Sequence, residues 1–129
     1  VVALAFFPGI FSIFYGDEAG LPGLHNLANR VAFPWGLEDT ELQKYFIKLI
    51  KVRNSYDFLK YAECEVREIS EKHFSFERIL GDERILVIVS RSHHVSEIHV
   101  PEGYKIIFRN NISCSESVLP PYGAVVLKN

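Results

Sequence analysis

After Asn54 the hydrophobic period of this chain changes from helical to alternating, and that switch limits the fold more than any other feature. Residues 63–69 alternate weakly and residues 73–80 alternate clearly. Gly81-Asp82-Glu83 then makes a turn, and residues 84–90 form a strong strand around Ile85-Leu86-Val87-Ile88-Val89. Residues 96–100, 104–109 and 124–127 complete the set. Pro101-Glu102-Gly103 and Pro120-Pro121-Tyr122-Gly123 supply the turns between them. Several short strands at this spacing predict an antiparallel β-sandwich. Phe74, Phe76, Tyr104 and Phe108 alternate as core residues do, not as a flat exposed row for stacking on sugars.

The first 54 residues read differently. Val1-Val2-Ala3-Leu4-Ala5-Phe6-Phe7 suits the last turns of a buried helix, closed by Pro8-Gly9. Ile10-Phe11-Ser12-Ile13-Phe14-Tyr15 is short and apolar on both faces, the pattern of a parallel strand covered on both sides. A long polar connection over 16–38 follows, a length usually reserved for functional loops. Asp39 or Thr40 caps the next helix. Leu42, Tyr45, Phe46, Leu49 and Ile50 recur at helical spacing, and Gln43, Lys44, Lys48 and Lys51 lie on the other side. Helix end, buried strand and polar loop in that order predict the last part of an α/β barrel, so Gly16-Asp17-Glu18 falls at the strand end where such barrels build active sites. The expected fold is mainly β, an antiparallel sandwich preceded by the last helix-strand-helix segment of a (β/α)8 barrel. The boundary is set at 54/55: residues 1–54 end the barrel and residues 55–129 form the sandwich. Tyr56, Phe58, Leu59 and Tyr61 predict a packed junction.

Two motifs in the first part carry a resemblance. Pro8-Gly9-Ile10-Phe11-Ser12-Ile13-Phe14-Tyr15-Gly16-Asp17-Glu18-Ala19-Gly20 resembles the PGxPxIYYGDExG signature of α-amylase-superfamily glycoside hydrolases. Asn29-Arg30-Val31-Ala32-Phe33-Pro34-Trp35 is similar to the R-x-x-F-x-W element that follows it there. Within the superfamily the chain looks most like the cyclomaltodextrinase, neopullulanase and maltogenic-amylase group and the oligo-α-glucosidases. The resemblance implies the C-terminal part of a retaining enzyme that cleaves α-glucosidic bonds of maltodextrins, cyclodextrins or pullulan-like glucans. Its partner would be an α-glucan oligosaccharide, with no cofactor.

Such hydrolysis needs two carboxylates flanking the scissile bond. Asp17 and Glu18 are adjacent, and neighbours on an extended chain point to opposite sides. In the family the catalytic carboxylates come from earlier barrel strands, so this chain is expected to hold no catalytic residue. For Asp17 and Glu18 the resemblance implies capping and loop hydrogen bonds ahead of direct sugar contact. Arg30 is the candidate for substrate contact, with a fork of donors suited to hydroxyls or to a carboxylate. A salt bridge inside the loop is the other reading. The family often places an Asp four residues earlier; here that position is Asn26, followed by Leu27 instead of Pro. Asn26 can hydrogen-bond hydroxyls without bringing charge. Trp35 could stack on a pyranose or pack beneath the loop, and Tyr15 is open between the same two roles.

Composition narrows the rest. The net charge of −2 gives no reason to expect nucleic acid or anionic membrane as partner. The N-terminal apolar run is too short to span a bilayer and lacks the marks of a signal peptide. His93-His94 is an adjacent pair in a turn, not a chelating spacing, so no metal is expected. Cys64 and Cys114 lie far apart in no metal spacing, and reduced thiols in a cytoplasmic protein are the preferred reading. A barrel strand cut from its neighbours is expected to be poorly covered, rearranged or buried in an oligomer contact.

Overall fold

The computed structural model describes residues 1–23, 31–110 and 115–129. Its centre is a five-stranded antiparallel sheet in the order β1-β2-β3-β7-β5. The strands are β1 Glu63–Ile69, β2 His73–Leu80, β3 Glu83–Ser90, β5 Lys105–Arg109 and β7 Ala124–Lys128. A two-stranded ribbon of β4 Ser96–Glu97 and β6 Val118–Leu119 covers one face. Helix α1 (Val2–Phe6), helix α2 (Thr40–Asn54) and a 3-10 turn over Asp57–Lys60 cover the other.

Both faces of the central strands β3 and β7 are therefore buried, which is why these two read as nearly continuous apolar runs, while the edge strand β1 is largely exposed. Phe76, Ile85, Val87, Phe108 and Val126 pack towards the helices, with Phe6, Leu49 and Leu59. Leu86, Ile88, Val125 and Leu127 pack towards the ribbon, with Ile98 and Leu119. β2 and β3 run in unbroken register from His73↔Ser90 to Leu80↔Glu83. Gly81, at φ 58°, supplies the positive φ that a two-residue hairpin turn asks of its first position. A bulge between Ile106 and Phe108 lets Ile107 and Phe108 both join the helix-side core while Ile106 faces the ribbon.

The helices follow the sequence signals closely. Asp39 caps α2, its Oδ1 accepting from the Leu42 amide at 2.9 Å. α1 buries Val2, Ala5 and Phe6 and stops before Pro8-Gly9, where Gly9 takes φ 105°. The 3-10 turn sets Phe58 and Leu59 into the same core, so the junction after α2 is packed.

One expected element is corrected. Residues 10–15 do not form a strand, and Ile10 is 98% exposed. Apolar side chains mark a segment for burial, but a strand also needs partners for its amides and carbonyls. Among the described residues no strand lies beside this one.

Candidate functional site

Gly16 organises the turn after residues 10–15. Its φ of 87° is left-handed, and a Cβ there would stand 2.3 Å from Leu21 Cδ1. Its amide donates to Glu18 Oε2 at 3.1 Å, and its carbonyl accepts from Ala19 and Leu21, each at 3.0 Å. The Ala19 carbonyl accepts from the Asp39 amide at 3.2 Å and so ties the turn to the start of α2. The Glu18 carboxylate is half-buried and engaged with backbone, whereas Asp17 is exposed.

Tyr15, Phe33 and Trp35 form an aromatic file over this turn. The Tyr15 hydroxyl donates to the Val31 carbonyl at 3.2 Å, and its ring meets Phe33 edge-on at 6.1 Å. Phe33 and Trp35 are tilted at 4.7 Å. Trp35 is 82% exposed, with one side of its indole on Phe33 and the rest open. Asn26 and Arg30, the candidates for sugar contact, lie outside the described residues, as do His25 and Cys114.

A second polar cluster stands on the ribbon side of the sheet. His73, Ser75 and Glu77 sit at alternate positions of β2, so they share one face, and all three are buried. His73 Nε2 and Ser96 Oγ are 2.9 Å apart, which joins β2 to the ribbon. Glu77 accepts from Arg67 Nε at 2.9 Å, from Arg67 Nη2 and from the Tyr104 hydroxyl, and Arg84 Nη1 stands 3.5 Å away. Burial pushes the Glu77 carboxyl up, but these bonds and cations outweigh it and hold the group below its ordinary value. Its own burial, and after it the contact with Glu77, push the Tyr104 hydroxyl up to about 12. These groups wall a cleft of about 870 Å3 with apolar Leu86, Ile88 and Ile98 among its lining. The alternation of residues 73–80 was visible in the sequence. That its polar half is buried was not, because the covering ribbon is only two residues long on each strand.

No group of three or more His, Cys, Asp or Glu is placed to hold a metal among the described residues. No helix among them is long and apolar enough to cross a membrane.

The architecture defines a class, an antiparallel sandwich with helices packed on one face. No protein-family model matches the chain. An amylopullulanase of Thermoanaerobacterium thermosulfurigenes is 32% identical over 130 residues, 86% of this chain and 7% of that protein. A cyclomaltodextrinase of Geobacillus thermopakistaniensis is 27% identical over 134 residues, 93% of this chain and 23% of that one. The chain thus spans less than a quarter of the length of these curated relatives. The Nostoc punctiforme debranching enzyme, in an acarbose-soaked crystal, superimposes with a TM-score of 0.80 at 25% identity, over 99% of this chain and 28% of that one. The chain is a relative of α-amylase-superfamily glycoside hydrolases, and its fold is that of their C-terminal sandwich region.

Proposed function

We propose that this chain serves as the closing part of a retaining glycoside hydrolase that cleaves α-glucosidic bonds of maltodextrins, cyclodextrins or pullulan-like glucans. Residues 1–54 would complete the barrel and residues 55–129 would form the sandwich that braces it. The nucleophile and the acid would stand on other strands of the whole enzyme. Arg30 and Asn26 would meet the sugar from the loop, while Tyr15, Glu18 and Trp35 shape that loop and Asp17 stays at its rim.

The observation that carries this reading is the state of residues 10–15. They hold the superfamily signature, yet Ile10, Phe14 and Tyr15 are exposed and the backbone pairs with no strand among the described residues. An apolar run of this kind gains most when other strands flank it. The half-buried Glu18, tied to the Gly16 amide, further supports a structural role for that carboxylate.

The test is α-glucosidase and cyclomaltodextrinase activity, measured side by side on the 129-residue chain and on the longest product of its gene. Activity confined to a longer product is expected. Turnover by the 129-residue chain would sink the proposal and make Asp17, Glu18 and Arg30 the first residues to substitute.

A further inference from the structure

Arg53 stands in the last turn of α2, where a cation meets the open carbonyls of a helix end. That placement accounts for its charge but not for its burial. Its Nε is buried and, among the described residues, has no hydrogen-bond partner. Burial pushes the guanidinium below its ordinary value. The charged groups that feel Arg53 are two further cations, Lys60 and Arg78. Lys60 is paired with Asp57, and Arg78 is taken up by backbone carbonyls, so neither brings a carboxylate to Arg53. A buried donor without an acceptor is costly, and a charged one more so.

Beside Arg53 lies a groove of about 440 Å3. Ile10, Phe11 and Ile13 form one wall, and Ile50, Arg53 and Lys60 stand on the side of α2 and the turn after it. Ile10 is exposed, and Phe11, Ile13 and Ile50 are half-buried. Among the described residues no carboxylate lines this groove. An apolar wall facing two cations narrows the occupant. A small free anion would match the cations and leave the three apolar side chains uncovered. A wholly apolar segment would cover them and leave the guanidinium unmatched. The groove fits a polypeptide segment that brings both apolar side chains and a carboxylate.

We propose that this groove receives a segment of the longer enzyme outside these 129 residues, and that an Asp or Glu of that segment pairs with Arg53 while its apolar neighbours cover Ile10, Phe11 and Ile13. The proposal rests on the function proposed above, which makes this chain part of a longer hydrolase. A guanidinium holds a carboxylate through two parallel donors, which fixes direction as well as contact. Apolar cover over the pair excludes water and strengthens it. Arg53 is then the charged anchor of the junction, and the apolar wall supplies the buried area.

The experiment treats the longest product of the gene, carrying Arg53→Lys, with a water-soluble carbodiimide, which joins an amine to a carboxylate in direct contact. Peptide mass spectrometry then locates the new amide bond. A link from position 53 to an Asp or Glu outside residues 1–129, absent without the substitution, is expected. A link only to a carboxylate within residues 1–129, a link between two copies, or no link at position 53 would overturn the proposal. Thermal melting of Arg53→Gln gives a second reading. It should lower the melting temperature of the longer product by about 2 °C or more and leave that of the 129-residue chain unchanged or higher. An equal fall in both would overturn the proposal, because Arg53 would then act within this chain. The activity comparison is separate. A link in a product without α-glucosidase or cyclomaltodextrinase activity upholds the docking and sinks the proposed function, and activity without a link does the reverse.

Discussion

Arg78 shows what a single side chain does for this fold. It is 1% exposed and, among the described residues, pairs with no carboxylate. Its guanidinium donates to the carbonyls of Phe6 and Leu59, each at 2.7 Å, of Ala62 at 2.8 Å and of Glu63 at 3.3 Å. Phe6 ends α1 and Leu59 lies in the 3-10 turn, so Arg78 satisfies carbonyls that helix ends leave open. Burial lowers its pKa, and it stays protonated across the ordinary pH range. Arg78→Met should cost about 3 kcal/mol or more, since three buried carbonyls lose their donor. Arg78→Lys should recover part of the loss, because an ammonium reaches fewer of them; urea midpoints decide it. Glu77 and Tyr104 give a pH prediction at the same scale. The Glu77 carboxyl is held low in the folded protein, so its contribution is full above its unfolded value and fades as pH falls through the folded one. The Tyr104 hydroxyl is held high, so its contribution is full below about 10 and is lost as pH rises towards about 12. Thermal unfolding across pH should show both flanks, and Glu77→Gln should flatten the acid one and shrink the alkaline one, since burial alone still raises Tyr104. An acid flank that survives in Glu77→Gln would assign it to other groups.

At the scale of elements, α2 is the clearest case of local and global signals agreeing. Asp39 caps it, Glu41 stands in its first turn, and Lys51 and Arg53 stand in its last. Asp39→Ala should therefore cost about 1 kcal/mol and lower the melting temperature by a few degrees. Asp39→Asn should be nearly neutral, because the amide oxygen can still accept from Leu42. This helix and β1, β2, β3, β5 and β7 were legible to within a residue or two, since each carries its own period. β6, at Val118–Leu119, was not: two residues have no period, and they become a strand only because β4 pairs with them. Arg78 escaped for a related reason. In the sequence it is one more charged residue in an alternating strand, and only the carbonyls of three distant segments make its position a buried one. The run 10–15 fails in the opposite sense, with a strong local pattern and no strand among the described residues to pair it. In the candidate site, the Gly16 turn was readable from its glycine and acids. The ribbon-side cleft was not, because it depends on which face of β2 the ribbon covers.

At the scale of the whole molecule, one core contains residues from both sides of the 54/55 boundary. Phe6 and Leu49 pack with Phe76, Val87 and Val126, so the sheet is not stabilised independently of the segment before it. The same chain exposes large apolar side chains elsewhere: Leu4, Ile10, Phe14 and Leu37. Those groups bury little within the chain, so they add little to its stability, but they invite association. Core and surface can therefore be separated by substitution. Phe6→Ala should lower stability by about 3–5 kcal/mol, the range for emptying a well-packed aromatic site. The double variant Ile10→Ser, Phe14→Ser should leave the urea midpoint nearly unchanged while reducing self-association and the binding of a hydrophobic dye. Light scattering over a concentration series measures the first effect and dye fluorescence the second. If the parent chain scatters as a monomer at every concentration, the surface segment is not adhesive. If the double variant instead loses stability as Phe6→Ala does, residues 10–15 belong to the core.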